Sequence, residues 1–225
     1  MSEQIVSVTI PQSWSEITLE KYLKYRKNLD MFKDDEDYNE QTLLIALDIL
    51  CGVDIKYITQ IGLDNLKLIQ EDLSSFMGKT DFELQRLITV NGVEYGFEPN
   101  LSNIAYGAYL DISKHDTIAI DNNWQKIMAV LYRKVKSKSG KYYDIEPYTG
   151  NEDYEWVKNT TMDINYGCLF FFINLSKDLV LSTLKSLKKE EWETHQLLKS
   201  IMGKNGEGML QLLNSQMETS QSLIR

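Results

Sequence analysis

The sequence predicts a mainly α protein with small β-hairpins (α+β), built as two similar packed helical modules. Three observations predict it. Ile17-Thr-Leu-Glu-Lys-Tyr22-Leu23 is echoed by Ile104-Ala-Tyr-Gly-Ala-Tyr109-Leu110, each followed by a strongly apolar helical stretch. Those stretches sit at similar distances, since Ala46 follows Tyr22 by 24 positions and Ala129 follows Tyr109 by 20; so small a difference in loop length costs little closure entropy. Alternating apolar and polar residues also flank two turn signals, Asn91-Gly92 and Ser139-Gly140. A repeated supersecondary unit cannot bury its apolar face alone, so the echo implies two modules packed together through a connector.

Taken in order, residues 1–80 form the first helical module. Gln4 to Ile10 alternates and is closed by Pro11, which predicts a short strand. Ser13-Trp-Ser-Glu16 has capping-box spacing, and Thr18 offers a second cap for the helix that follows. Leu19, Tyr22, Leu23 and Leu29 give that helix an apolar side, with Lys21, Lys24, Arg26 and Lys27 on its solvated face. The acidic run Asp34-Asp-Glu-Asp37 interrupts it and reads as a solvated loop, because Asn39 stands where a calcium loop needs its sixth-position glycine. Gln41 to Gly52 is apolar nearly all round and should be central. Leu66, Ile69, Leu73 and Phe76 then mark an amphipathic helix ending at Gly78.

Residues 81–100 carry the first hairpin, Leu87–Val90 and Val93–Phe97 about Asn91-Gly92, expected to join the halves. The second module, 101–187, has its own apolar helix, Trp124 to Tyr132, then a hairpin or arm over 135–148. A buried helix or helix pair follows from Asn165 to Leu187, centred on Cys168-Leu-Phe-Phe-Phe-Ile173. Residues 188–225 read as a docking tail: a polar helix around Trp192, a glycine-rich break, and an amphipathic piece with Leu210, Leu213 and Met217.

Composition narrows the function classes. At 225 residues and 43% hydrophobic content, the chain can bury a sizeable core. A net charge of -9 and pI near 4.8 make most of the surface repel phosphate backbones and anionic headgroups, so nucleic acid is disfavoured as a partner. The longest apolar run falls far short of the roughly 20 residues that span a bilayer, so no membrane partner is expected. Met1-Ser-Glu-Gln-Ile-Val lacks the basic and apolar regions of a secretion signal. Cys51 and Cys168, both in apolar helical contexts, read as buried thiols in a reducing compartment.

Catalytic signatures are missing. Met77-Gly78-Lys79-Thr80 ends like a phosphate-binding P-loop, but Leu73 stands where its first glycine is required, and Gly203 to Gly208 does not match a dinucleotide-binding pattern. His115 and His195 lie 80 positions apart and share no carboxylate pattern. Glu152-Asp153 and Glu190-Glu191 sit among polar residues that keep them solvated. No catalytic residue, cofactor site or metal site is expected.

The cationic stretch Arg133, Lys134, Lys136, Lys138 and Lys141, followed by Tyr142 and Tyr143, departs from the acidic surface. It reads either as a solvated hairpin balancing Glu146, Glu152 and Asp153 or as a surface for nucleic acid or an acidic partner. With Trp192, Leu210, Leu213 and Met217 from the tail, these are the candidate partner-binding residues.

Asn123-Trp-Gln-Lys-Ile-Met-Ala-Val-Leu-Tyr-Arg-Lys-Val135, Tyr143-Asp-Ile-Glu-Pro-Tyr148 and Gly167-Cys-Leu-Phe-Phe-Phe, with Ile104 to Ile112 upstream, carry a likeness. On these segments the chain resembles a family of small tailed-bacteriophage proteins encoded among structural and tail-morphogenesis genes, including those of crAss-like phages. Some relatives are described as tail assembly chaperones. The resemblance implies a non-enzymatic virion structural or assembly protein of the neck or tail, assembled in host cytoplasm, with other phage structural proteins as partners and a homo-oligomer or ring as its state. A tail assembly chaperone absent from the mature particle and a host-directed cytoplasmic adaptor are the alternatives. It transfers no catalytic residue, because the matching positions are mainly apolar or aromatic.

Overall fold

The computed structural model describes residues 8–34, 37–114, 120–121 and 123–187, and shows a mixed α+β protein. The chain forms two compact units. The first takes the described residues within 8–81 and 155–163; the second takes those within 82–154 and 164–187.

In the first unit, a 3-10 turn at Trp14–Glu16 leads through extended Ile17 to Thr18, which caps α1 (Leu19–Asp30). The Thr18 hydroxyl oxygen accepts from the Lys21 amide at 3.3 Å. Ser13, the other candidate cap, makes no capping bond, because its hydroxyl pairs with that of Ser15 at 2.6 Å. Leu19, Tyr25 and Leu29 form the buried stripe of α1. Tyr25 takes the central place expected for Tyr22 and Leu23, which are half-buried. α2 (Tyr38–Ile45) tightens no further at its end but widens into a π turn at Ala46–Leu50. The Leu50 carbonyl there accepts from the Lys21 ammonium at 2.9 Å, and Gly52 adopts the left-handed φ of +70° that terminates the helix.

α3 (Ile55–Ile58) starts at the Asp54 carboxylate, which caps the Lys56 amide at 3.0 Å. α4 (Leu63–Met77) buries Ile69, Leu73 and Phe76 at helical spacing. Trp14 meets Phe76 edge-on, with centroids 5.3 Å apart. A second 3-10 turn, Glu155–Asn159, precedes α7 (Met162–Leu187). Thr18 and Thr161 form an antiparallel bridge: the Leu19 amide donates to the Thr160 carbonyl, and the Met162 amide to the Ile17 carbonyl, both at 2.8 Å. Each helix start thus satisfies a first-turn N–H of the other, groups that have no intrahelical acceptor.

The strand expected over Gln4 to Ile10 is not formed at 8–10, which are irregular; 4–7 lie outside the described residues. Alternation alone does not make a strand without a partner's ladder, and the described sheet is built from other segments.

The second unit holds that sheet. β1 (Leu87–Val90) and β2 (Val93–Phe97) form the expected hairpin, with φ of 51° at Asn91 and 79° at Gly92, both values that a type I′ turn demands. The sheet is antiparallel throughout, in the order β1-β2-β3-β4, with β3 at Tyr132–Ser139 and β4 at Tyr142–Ile145. The hairpin placed at 81–100 as a connector therefore lies within the second unit, as half of a sheet completed by the 135–148 segment. Between β2 and β3 come a 3-10 turn at Leu101–Asn103, α5 (Tyr106–Ser113) and α6 (Trp124–Leu131). Tyr132, expected as the last residue of the apolar helix, is instead the first of β3, with extended φ, ψ of -109° and 117°.

Ile88, Val90, Tyr95, Phe97 and Tyr132 are buried on one face of the sheet, and α6 buries all its residues but Lys126. At about 1.5–3 kcal/mol for each large apolar side chain, this cluster is the main stabilisation of the unit. α7 is a single helix across the whole stretch where one or two were expected. Phe171 meets Phe97 edge-on at 5.5 Å, Phe82 stacks on Tyr166 and Phe170, and the Trp124 indole donates to Asn165 Oδ1 at 2.8 Å. No described helix is long and apolar enough to cross a membrane.

Around Ile17 and Ile104 the element order is alike, although α1 buries Leu19, Tyr25 and Leu29 whereas α5 buries only Ala108. Ile17 and Ile104 each stand, extended, between a 3-10 turn and a helix, and each helix is followed by a second one. After that point the first unit continues in helices and the second turns into β3.

Candidate partner-binding arm

The cationic stretch begins inside the core and leaves it. Tyr132, 1% exposed, anchors the base of β3, and its hydroxyl donates to the Gln85 carbonyl at 2.7 Å. Burial pushes its phenol well above the ordinary value, so it remains a neutral donor. Arg133, expected on the partner-facing surface, is buried at 7% and pairs with the Glu98 carboxylate. It therefore positions the strand and does not face a partner. β2 pairs with β3 only from Tyr132 to Lys134, where Tyr95 lies opposite Lys134.

Beyond that point β4 is the only described strand bonded to β3, and residues 135–145 form a two-stranded ribbon whose β4 side lies against Gly96 of β2. A bulge between Val135 and Ser137 places Lys136 out of register. The ribbon is braced on one side. Tyr143 lies across Gly96, where an added Cβ would come within 2.6 Å of its ring, and its hydroxyl donates to the Phe97 carbonyl at 2.6 Å. The Tyr143 phenol is raised in pKa, chiefly by burial. Lys138 reaches Glu94 at 2.7 Å, and Ser137 donates to Asp144 at 3.1 Å.

What remains at the surface is Lys134, Lys136 and Lys141, all exposed and in no ion pair among the described residues, with Tyr142 at the turn and 84% exposed. Gly140 makes that turn at φ 59°. Of the expected partner-binding residues, the structure thus brings Lys134, Lys136, Lys138, Lys141, Tyr142 and Tyr143 onto one arm, with Tyr143 half-buried in its brace. Trp192, Leu210, Leu213 and Met217 lie outside the described residues, as do His115 and His195.

Sequence reasoning missed Glu94, Glu98 and Gly96, which hold the arm from β2 and its continuation. Gly96 inside a strand was the available clue, since such a glycine marks close approach of another group. The echo segment Ile104 to Leu110 was singled out, but not that Tyr106, Tyr109 and Leu110 of α5 would be exposed. Tyr148 packs against Gly107 of the same helix and donates to the Asp111 carboxylate, which raises the phenol's pKa to about 12.

Neither the Gly-Lys-Thr tripeptide nor the carboxylate pair builds a catalytic geometry. Gly78 sits in right-handed helical conformation at the end of α4, so its backbone does not form a phosphate cradle. Glu152 accepts from the amide and hydroxyl of Thr149, a local turn. Among the described residues no three His, Cys, Asp or Glu side chains assemble.

No protein-family model, curated protein or solved structure matches this chain.

Proposed function

We propose that this chain is a non-enzymatic structural or assembly component of a tailed-bacteriophage particle, at the neck or tail, working through protein–protein contacts. The observation that carries the reading is where the phage-like segments fall in the fold. Trp124 to Tyr132 apart from Lys126, Gly167 to Leu169 and the brace residue Tyr143 are packing groups of the second unit, while Lys134, Lys136 and Lys141 between them are exposed. The likeness is thus to a scaffold that presents an arm. An exposed tyrosine on a braced ribbon, with lysines placed as a polar rim around it, suits recognition of a protein surface.

Mass spectrometry of purified particles tests it. The chain is expected in mature particles at a fixed copy number set by the symmetry of its assembly. Its absence from particles, despite expression during infection, would sink the structural role and leave a transient tail assembly chaperone.

A further inference from the structure

We infer that residues 212–218 of this chain dock on the exposed start of α5, making there the contact that residues 157–163 make at the start of α1. The contact belongs to the isolated chain, whether or not the chain enters particles. Three observations lead to it. First, the two helix starts share a backbone conformation but not a cover. Thr18 and Ala105 precede their helices at φ, ψ of -74°, 156° and -58°, 136°. At α1 the Met162 amide donates to the Ile17 carbonyl and the Leu19 amide to the Thr160 carbonyl, and Ile17 and Leu19 are fully buried. At α5 the corresponding groups, the Ile104 carbonyl and the Tyr106 amide, meet no partner among the described residues, and Ala105 supplies no side-chain cap.

Second, the side chains beside those two groups form an open apolar strip. Tyr106 is 75% exposed, and Tyr109 and Leu110 adjoin it at helical spacing. Tyr148, lying over Gly107 and bonded to Asp111, bounds the strip along the neighbouring stripe of the helix. An extended segment satisfies both backbone groups and lays alternate side chains on such a strip. Third, the chain carries another version of the covering segment. Val157-Lys-Asn-Thr-Thr-Met-Asp163 is matched by Leu212-Leu-Asn-Ser-Gln-Met-Glu218. Val157, Thr160 and Met162, the positions buried in the first, correspond to Leu212, Ser215 and Met217 in the second. The two positions that differ in kind, Lys158 and Thr161, are only half-buried. Residues 212–218 lie outside the described residues, but the connection can reach: from the end of α7 at Leu187, residues 188–211 span up to about 80 Å, several times the roughly 13 Å radius of gyration of a unit this size.

The register supplies the test, made on the full chain. Thr18 and Thr161 face each other between the two backbone bonds, a pairing that sets Cα atoms about 4.5 Å apart, within disulfide range. Carried to α5, it sets Ala105 opposite Gln216. With oxidised glutathione as oxidant, the pair Ala105→Cys, Gln216→Cys should close a disulfide within one chain, identified by mass spectrometry. It should form at least about tenfold faster than the pair Ala105→Cys, Ser222→Cys, at a rate independent of protein concentration. Without substitutions at 105, the Tyr106 amide should exchange with deuterium at least about tenfold slower than in an unstructured chain. The double change Leu212→Asp, Met217→Asp should bring it within about twofold of the unstructured rate, and Leu223→Asp, Ile224→Asp should leave it protected. Slow exchange at Ile127 to Leu131 of α6 shows that each variant is folded.

Equal cross-linking rates from positions 216 and 222 overturn the inference. So does a Tyr106 amide that exchanges freely in the wild type, or one that stays protected after the Leu212 and Met217 changes. A disulfide that forms only between chains overturns it in favour of a contact between copies.

Discussion

Among the described glycines, Gly167 is the one where an added Cβ would meet the closest atom. Alanine in mid-helix would ordinarily gain up to about 1 kcal/mol over glycine. Here an added Cβ would lie 2.3 Å from the Glu83 carbonyl oxygen, a backbone atom that cannot swing away like a side-chain tip. The clash outweighs the propensity gain, and Gly167→Ala is expected to destabilise the protein by about 3 kcal/mol in urea unfolding; a neutral or stabilising result would mean that α7 does not approach the 83–84 backbone so closely. The cysteines give a second outcome at this scale. Burial pushes the Cys51 thiol up to about 11 from an ordinary 9.0, so the folded state holds a proton that the unfolded chain would release. Cys51, expected to be buried like Cys168, is half-buried, and its alkylation at pH near 8 should run about a hundredfold slower in native than in denatured protein, because the thiol ionises that much less readily and only the thiolate reacts. The related contribution to stability is present below pH 9.0 and is lost as pH rises toward about 11. Equal alkylation rates in the two states would contradict this.

Among the elements, those legible from sequence are held by chemistry within a few residues of one another. β1–β2 was readable because Asn91-Gly92 alone selects the turn, and α4 because Ile69, Leu73 and Phe76 recur at helical spacing. The pairing of β2 with β3 was not, since its register, Gly96 opposite Arg133, joins positions separated by two helices. The same holds for the arm. Its cations and tyrosines were visible as a cluster, but which of them face a partner depended on Glu98 and Glu94, remote in sequence and similar in type to many other acids of this chain. Arg133 shows how much this matters. Removing its partner with Glu98→Ala strands a buried cation, expected to cost about 3 kcal/mol. The double change Glu98→Leu, Arg133→Met should recover most of that in urea unfolding, because it removes both buried charges. A single variant as stable as wild type would show that the pair is solvated.

At the scale of the whole molecule, the first unit is discontinuous in sequence. Residues 155–163, which carry the second partner of the Thr18–Thr161 bridge, are separated from residues 8–81 by the strands and helices of the second unit. No local pattern announces this, since Thr160-Thr161 resembles any helix entry. A fragment ending at Asp81 leaves the Leu19 amide without its acceptor and Ile17 and Leu19 without Val157 and Met162 in the buried set. Such a fragment is expected to show weak helical circular dichroism and rapid proteolysis compared with the full chain; a cooperative, protease-resistant fragment would show that the late segment is dispensable. The bridge also bears on birth of the chain at the ribosome. Residues 82–154 must be translated before 155–163 can emerge, an interval of roughly 4–15 s at about 5–20 residues per second. For that time the first-made helices wait with an open seam, and the second unit, which needs residues 164–187, is completed only after that seam has been able to close.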